Sequence, residues 1–345
     1  MASDPGAPSR AEIAELDAVL ERYGRRREGE ASLISAGTLN RNFRVATDRG
    51  PVFARRHRDG VDLDGVRREH EVIRWASERG VPAVGPLAAS DGATVVEVEG
   101  ALWALFPWVE GRVLGRGEAT PREVEALGEM HGRVQLALAD HPESTGADSR
   151  AALQETLRWD TAESVASLVA LEPLVRAASE WSHLAEGLSL QRALLEDGAA
   201  RPALDFEWLP CQLLHGDFHE HQVLVDSDGS VMAVVDWEMG RVAPRVWELI
   251  RSLSYSLVLE TELLDDYLRG FRRHVSLAAE ECRAGVELWW QTRLHSTWVW
   301  EAYFLEGNER VGELLADTDA HLRRFADVGW RAAIADRLLA GSGAG

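Results

Sequence analysis

The chain has 345 residues, enough to bury a large core and to divide into two subdomains, with ordinary hydrophobic (46%) and charged (27%) content. Its net charge of −20 argues against nucleic acid, whose phosphates need a basic footprint, and fits a cationic small substrate. Cys211 and Cys282 stand too far apart for a disulfide framework or a zinc knuckle, no apolar run can span a bilayer, and the N-terminus does not read as a signal peptide, so a cytoplasmic setting is expected.

There is no lysine: all 37 basic residues are arginine. That excludes Schiff-base chemistry and the phosphate loop G-x-x-x-x-G-K-[ST], both of which require an amine. Any grip on phosphate must come from arginine or backbone amides.

Ser9 to Arg27 reads as an amphipathic helix, with Ser9 and Glu12 as a capping box and Ile13, Leu16, Leu20 and Tyr23 on one face. Short β-rich segments follow at Ala31–Ser35, Asn42–Thr47 and Pro51–Arg56. The turn Gly37-Thr38-Leu39-Asn40-Arg41-Asn42 between the first two strands can cover phosphates with backbone N–H groups, although an ordinary hairpin loop explains it as well. Val66 to Arg79 is a helix carrying Glu69 in its first turns, ended by Gly80-Val81-Pro82. Strands at Thr94–Glu99 and Leu102–Phe106 lead into Pro107-Trp108-Val109-Glu110-Gly111, a connector that marks a boundary. Beyond it the pattern turns helical: Pro121–Ala139, Ala151–Leu171, a long stretch to Gly198, then Thr261–Phe271, Leu277–Leu305 and Glu309–Leu339. The order predicts an α+β, bilobal fold, with a β-rich lobe over residues 1–106 and a larger helical lobe over residues 107–345.

Between the two helical tracts lies the stretch from Leu213 to Glu248, around which the chain is organised. A polar cluster, His215–Gln222, enters a strand, Val223–Val225, then the turn Asp226-Ser227-Asp228-Gly229 and a return strand, Val231–Val235. The hairpin delivers Asp236 to the same end as Asp217, and two carboxylates brought together in this way point to a bound cation. His-Gly-Asp, then Gln222, then a strand ending in Asp-Trp-Glu parallels the kinase loop H-R-D-x-x-x-x-N followed by D-F-G.

With these residues in place, the chain resembles the aminoglycoside phosphotransferase family, which includes choline and homoserine kinases and has a protein-kinase-like fold. The resemblance spans about Ile34 to Ser254 and is strongest at HGDFHEHQVLV and VVDWE, weaker at FARR, EHEVIRW, FPWVEG and GEMHG. It implies phosphorylation of a small-molecule hydroxyl with ATP and Mg²⁺, and no nucleic-acid or membrane partner. An antibiotic acceptor of aminoglycoside, macrolide or nucleoside type leads, with homoserine- or choline-like metabolites as the alternative; oligomeric state stays open.

By the same resemblance Asp217 is the catalytic base and Asp236 the metal-binding carboxylate. Arg55 contacts the α/β-phosphates and Glu69 is its ion-pair partner. Phe106, Pro107 and Val109 belong to the segment whose backbone reads adenine, and Asn40 belongs to the loop over the phosphates. Gln222 stands where the family usually has asparagine, a second metal ligand, and Arg55 where it usually has lysine. The amide of Gln222 keeps the ligating oxygen but adds a methylene, which octahedral Mg²⁺ must accommodate. Arg56 competes for the role of Arg55, although strand alternation places it on the face of Ala54.

His215, Asp217, His219 and His221 also alternate as a strand-borne zinc pattern, so a zinc hydrolase is a competing reading, and a nucleotide-binding pseudokinase another. Among 13 tryptophans, Trp289, Trp290, Trp298 and Trp300 gather in one helical region with Tyr303 and Phe304. They suit either a substrate wall or the core, and core is the better reading for any one of them. Glu301 and Glu306 fit a cationic substrate or a solvated face equally.

Overall fold

The computed structural model describes residues 7–34, 40–146, 148–156, 158–198, 205–259 and 261–340. Helix α1 (Arg10–Arg22) starts at the expected capping box, in which Ser9 and Glu12 satisfy each other's backbone N–H groups. It ends at Arg22 and not at Arg27, because Gly24 turns the chain through a φ of +62°. Five strands and a helix follow: β1 (Arg27–Ile34), β2 (Arg41–Thr47), β3 (Val52–Arg56), α2 (Leu63–Glu78), β4 (Val96–Val98) and β5 (Ala101–Pro107).

The strands form one antiparallel sheet in the order β1-β2-β3-β5-β4. Alternation along the strands gives the sheet two apolar faces. Phe43, Val45, Ala54, Trp103 and Leu105 pack with Leu16, Val19 and Leu20 of α1. On the other face, Ala104 and Phe106 join Val72, Ile73 and Ala76 of α2 in the core of the second lobe. The same alternation sends Arg55 toward α2 and Arg56 toward α1, where it meets Glu15 at 3.2 Å.

The second lobe begins with β6 (Arg112–Val113) and α3 (Pro121–Ala139), whose start is fixed by the capping box of Thr120 and Glu123 and by Pro121 in the first turn. Then come α4 (Pro142–Thr145), α5 (Ser149–Thr156), α6 (Thr161–Ala177) and α7 (Ala185–Glu196). The organising stretch contributes β7 (Cys211–Leu214), β8 (Val223–Val225), β9 (Val231–Val234) and β10 (Arg241–Pro244). These pair as a β6-β8-β9 sheet and a β10-β7 ribbon. The lobe closes with α8 (Arg245–Tyr255), α9 (Leu263–Phe271), α10 (Ala279–His295), α11 (Trp298–Phe304), α12 (Glu313–Ala326) and α13 (Val328–Leu339). The fold is thus α+β and bilobal, with a sheet-bearing lobe joined to a helical one.

Three expected helices are interrupted. Ala151–Leu171 is divided between α5 and α6, where Asp160 accepts from the N–H groups of Ala162 and Glu163 and starts a new helix. Leu277–Leu305 breaks at Ser296-Thr297, and Glu309–Leu339 breaks at Asp327, which caps α13 through Gly329 and Trp330. Apolar periodicity continues through these breaks because both pieces face the same core; at Asp160 and Asp327 a capping carboxylate starts the new helix. The expected strands Ala31–Ser35 and Thr94–Glu99 also shift: the first begins at Arg27 and the second covers Val96–Val98 only. The expected helix Val66–Arg79 starts earlier, at Leu63, because Asp62 accepts from the N–H of Gly65.

Candidate active site

The loop after β7 is built on buried polar contacts. His215 is fully buried, its Nδ1 accepting from the N–H of Asp217 at 3.3 Å and its Nε2 donating to the Val235 carbonyl at 2.9 Å. Both bonds suit the neutral ring, and burial keeps its pKa below the usual range. Gly216 follows with a φ of +86°, and a Cβ there would run into the Met239 carbonyl, so only glycine fits. Its N–H donates to Oε1 of Glu248 at 2.5 Å, while Oε2 of Glu248 faces Nε2 of His131 at 3.4 Å, with both side chains fully buried. This network joins α3 and α8 to the loop and fixes where Asp217 stands.

Asp217 is bracketed. Its Oδ1 is ion-paired with Arg251 of α8, and its Oδ2 accepts from Nε2 of Gln222 at 3.1 Å, with His219 Nε2 at 3.8 Å. Burial opposes its charge, but Arg251 and His219 override that and hold the carboxyl well below the usual carboxylate range. Burial likewise opposes charge on His219, yet Asp217 and Glu220 beside it raise its pKa above the usual value. Asp217 is therefore ionised at neutral pH and aimed by three side chains.

Asp236 lies after β9 in the left-handed region, φ +65° and ψ +59°, a conformation uncommon outside glycine and tolerated best by Asp and Asn. Its Oδ1 accepts from Nη2 of Arg55 at 2.9 Å, and Nη1 of Arg55 lies 3.4 Å from Oε1 of Glu69. One arginine of the sheet lobe thus joins α2 to the second carboxylate of the helical lobe. Burial pushes Glu69 up to about 7 despite that arginine. The guanidinium lies 5.7 Å and 5.9 Å from the rings of Phe53 and Phe106.

The remaining expected residues are placed as follows. Phe106 is buried at the end of β5, Pro107 is exposed and Val109 is half-buried in the connector, where the Trp108 N–H donates to Pro51. Residues 35–39, including Gly37, Thr38 and Leu39 of the expected phosphate loop, lie outside the described residues. Asn40 is described: its Nδ2 donates to Glu238 at 2.6 Å and its Oδ1 accepts from the Arg58 N–H at 3.1 Å. Arg41 and Asn42 already belong to β2.

The residues fit a hard cation and a phosphate. Asp236, Glu238 and the amide oxygen of Gln222 are oxygen donors of the kind Mg²⁺ or Ca²⁺ takes. The Nε of Arg55 is buried without a hydrogen-bond partner, a donor that a phosphate oxygen would satisfy. The competing zinc pattern does not assemble. Among the described residues no group of three or more His, Cys, Asp or Glu side chains converges on a metal position. The segment is a loop and a 3₁₀ turn (Glu220–Gln222), so period-two alternation does not apply, and His221 is exposed while His215 is buried.

Of the aromatic set, Trp289, Trp290 and Trp300 are core residues, whereas Trp298 is 46% exposed. Glu301 accepts hydrogen bonds from Ser167 and Thr297. Two residues that hold the site, Arg251 and Glu248, escape sequence reasoning. Their signal is a lone acid and a lone base on a helix whose buried face includes Val246, Leu249, Ile250 and Leu253.

The chain resembles known proteins across most of its length. It is 24% identical over 282 residues to a homoserine kinase of Caulobacter vibrioides, covering 77% of this chain and 80% of that one. A spectinomycin phosphotransferase solved with ADP and spectinomycin matches with a TM-score of 0.60 at 13% identity, covering 94% of this chain and 98% of the other. An amicoumacin kinase solved with AMP-PNP, Ca²⁺ and Ami matches with a TM-score of 0.59 at 15% identity, covering 95% and 94%. No helix among the described residues is long and apolar enough to cross a membrane. The model of the phosphotransferase enzyme family (APH) matches residues 30–289, around the paired carboxylates and the arginine that spans the lobes, and the chain belongs to that family.

Proposed function

We propose that this chain transfers the γ-phosphoryl group of ATP to a hydroxyl of a small molecule. The observation that carries the reading is the joining of Asp236 and Glu69 by Arg55 across the two lobes, with Asp217 held nearby through Gln222 and Arg251. Asp217 receives the proton of the acceptor hydroxyl, whose oxygen forms the new bond to phosphorus while the bond to the ADP oxygen breaks and its electron pair leaves with ADP. Arg55 binds phosphate oxygens through its unpartnered Nε, Glu69 orients it, and the backbone from Phe106 through Val109 takes the adenine where the lobes divide, near residues 106–107. Asn40, next to the expected phosphate loop, is held by Glu238. Asp236 and Gln222 would hold Mg²⁺, which when bound neutralises charge on the phosphates.

Two acceptor classes are supported. Antibiotic-type alcohols lead on the ligands of the two similar structures, spectinomycin and Ami. Metabolite-sized alcohols are favoured by the likeness to a homoserine kinase and by an arginine standing at Asp217. The test is ATP consumption with Mg²⁺ against a panel of hydroxylated antibiotics, amino alcohols and hydroxy acids. Asp217→Ala is expected to lose transfer while still binding nucleotide, because the base acts on the acceptor. Near-wild-type turnover in that variant, or ATP-independent activity restored by zinc, overturns the reading.

A further inference from the structure

The overall charge of −20 hides a local reversal at Asp217. Two arginines stand there. Arg251 of α8 holds Oδ1 of Asp217, and Arg241 begins β10, opposite Leu214 just ahead of the His-Gly-Asp turn. Each guanidinium lies over an aromatic ring, Arg241 4.4 Å from the centre of Trp247 and Arg251 4.5 Å from that of Tyr255. Both rings meet the same Trp289, at 5.8 Å and 6.0 Å. The two cations are close enough to feel each other: burial, and then the charge of Arg251, lowers the pKa of Arg241.

What Arg241 lacks is an anion, and Arg251 has only that of Asp217. Among the described residues the Arg241 side chain makes no ion pair and no hydrogen bond, and its buried Nε has no partner. Arg251 spends Nη2 on Asp217 and leaves Nη1 buried and unpartnered. The two carboxylates whose charge reaches Arg241 are engaged elsewhere, Glu248 with Gly216 and His131, Glu155 with Arg158 at 3.4 Å. Arg241 also lines an open groove of about 480 Å³ with Arg68, Asp148 and Glu155. A half-buried guanidinium without a paired counter-charge is costly, and buried unsatisfied donors on two neighbouring arginines ask for one group with two acceptor oxygens.

We infer that Arg241 and Arg251 form a carboxylate clamp for the acceptor, which is therefore an alcohol that also bears a carboxylate. This deepens the phosphotransferase reading and rests on it. The acceptor carboxylate takes the Nε of Arg241 and the Nη1 of Arg251, and its hydroxyl lies at Asp217. Because Arg251 touches both the clamp and the base, the same contact positions the two ends of the substrate. A carboxylate is favoured over a phosphate ester because its single charge is repelled less by the ionised Asp217 that holds Nη2 of Arg251.

The test reads binding without turnover. Wild-type protein is titrated, by thermal shift and calorimetry, with L-serine and L-homoserine, with the carboxamide of each, with glycerol 3-phosphate and with ethanolamine. At least one acid is expected to bind roughly 30-fold more tightly than its own amide, and Arg241→Met is expected to erase that difference. The comparison of acid with amide needs no variant, so an Arg241→Met protein that fails to fold does not rescue the idea. Equal binding of acid and amide, no binding of any acid, or preference for glycerol 3-phosphate or ethanolamine overturns the clamp. Failure of the phosphotransferase reading shows separately, as absence of ATP-dependent transfer in a protein whose acid-selective binding is intact.

Discussion

Arg251 and Asp217, separated by 34 positions in sequence, form an ion pair at the centre of the site. The side chains are only 15% and 21% exposed, so solvent screens the pair little. Removing the charge of Asp217 leaves Arg251 as a second cation without a partner beside Arg241. Asp217→Asn should therefore lower stability by about 1–2 kcal/mol, even as it lowers turnover by roughly 10²–10⁴-fold. Urea melts read the first effect as a lower midpoint at unchanged m. A variant as stable as the wild type would mean that Arg251 finds another anion.

A second expectation concerns Gln222. Its Nε2 donates to Asp217, which turns the amide so that its oxygen is the atom left for a metal. Gln222→Ala should raise the Mg²⁺ concentration needed for half-maximal activity, and Gln222→Asn should do so far less. If Gln222→Ala only lowers the melting temperature and leaves the Mg²⁺ dependence untouched, Gln222 holds the loop and not the metal.

Arg55 pairs with two carboxylates at once, and it is 7% exposed. Arg55→Met leaves Asp236 without its partner and lets Glu69, already raised to about 7, take up a proton, a loss on the order of 1–3 kcal/mol. Arg55→Lys restores the charge but not the fork, so it should recover much of the stability while binding nucleotide more weakly. Guanidinium unfolding curves and nucleotide titrations of both variants separate the two effects. Equal stability of the methionine and lysine variants would show that charge is not what Arg55 supplies.

The acid side of the stability profile follows from the sheet lobe. Burial holds His57 down to about 3 and His70 to about 4, against an ordinary 6.5, with Arg55 adding to both. Below pH 6.5 the unfolded chain binds these protons and the folded chain does not. Stability is therefore intact above about 6.5 and falls as pH falls toward the folded values, by an amount on the order of 1–3 kcal/mol for either residue. His57→Phe should flatten the melting temperature between pH 6.5 and 4 relative to the wild type. An unchanged slope would show that His57 is protonated in the fold.

Much of this arrangement is legible in the sequence, and the reason is locality. Asp217, Gln222 and Asp236 lie on one strand–turn–strand unit, so their spacing alone puts them at one end. Arg55 is separable from Arg56 because a strand alternates. Glu248 and Arg251 are not legible in that way. They reach Gly216 and Asp217 because α8 folds back beneath the loop, a contact that no short-range spacing encodes. The helix breaks at Asp160 and Asp327 are hidden for the opposite reason, since a single capping carboxylate does not disturb the apolar period around it.

The cation between Glu69 and Asp236 being an arginine has a practical consequence. Probes that mark nucleotide sites by acylating a lysine near the phosphates depend on an amine nucleophile, and a guanidinium, charged at any working pH, does not supply one. With no lysine elsewhere in the chain to take the label, such a survey would pass over this protein however active it is.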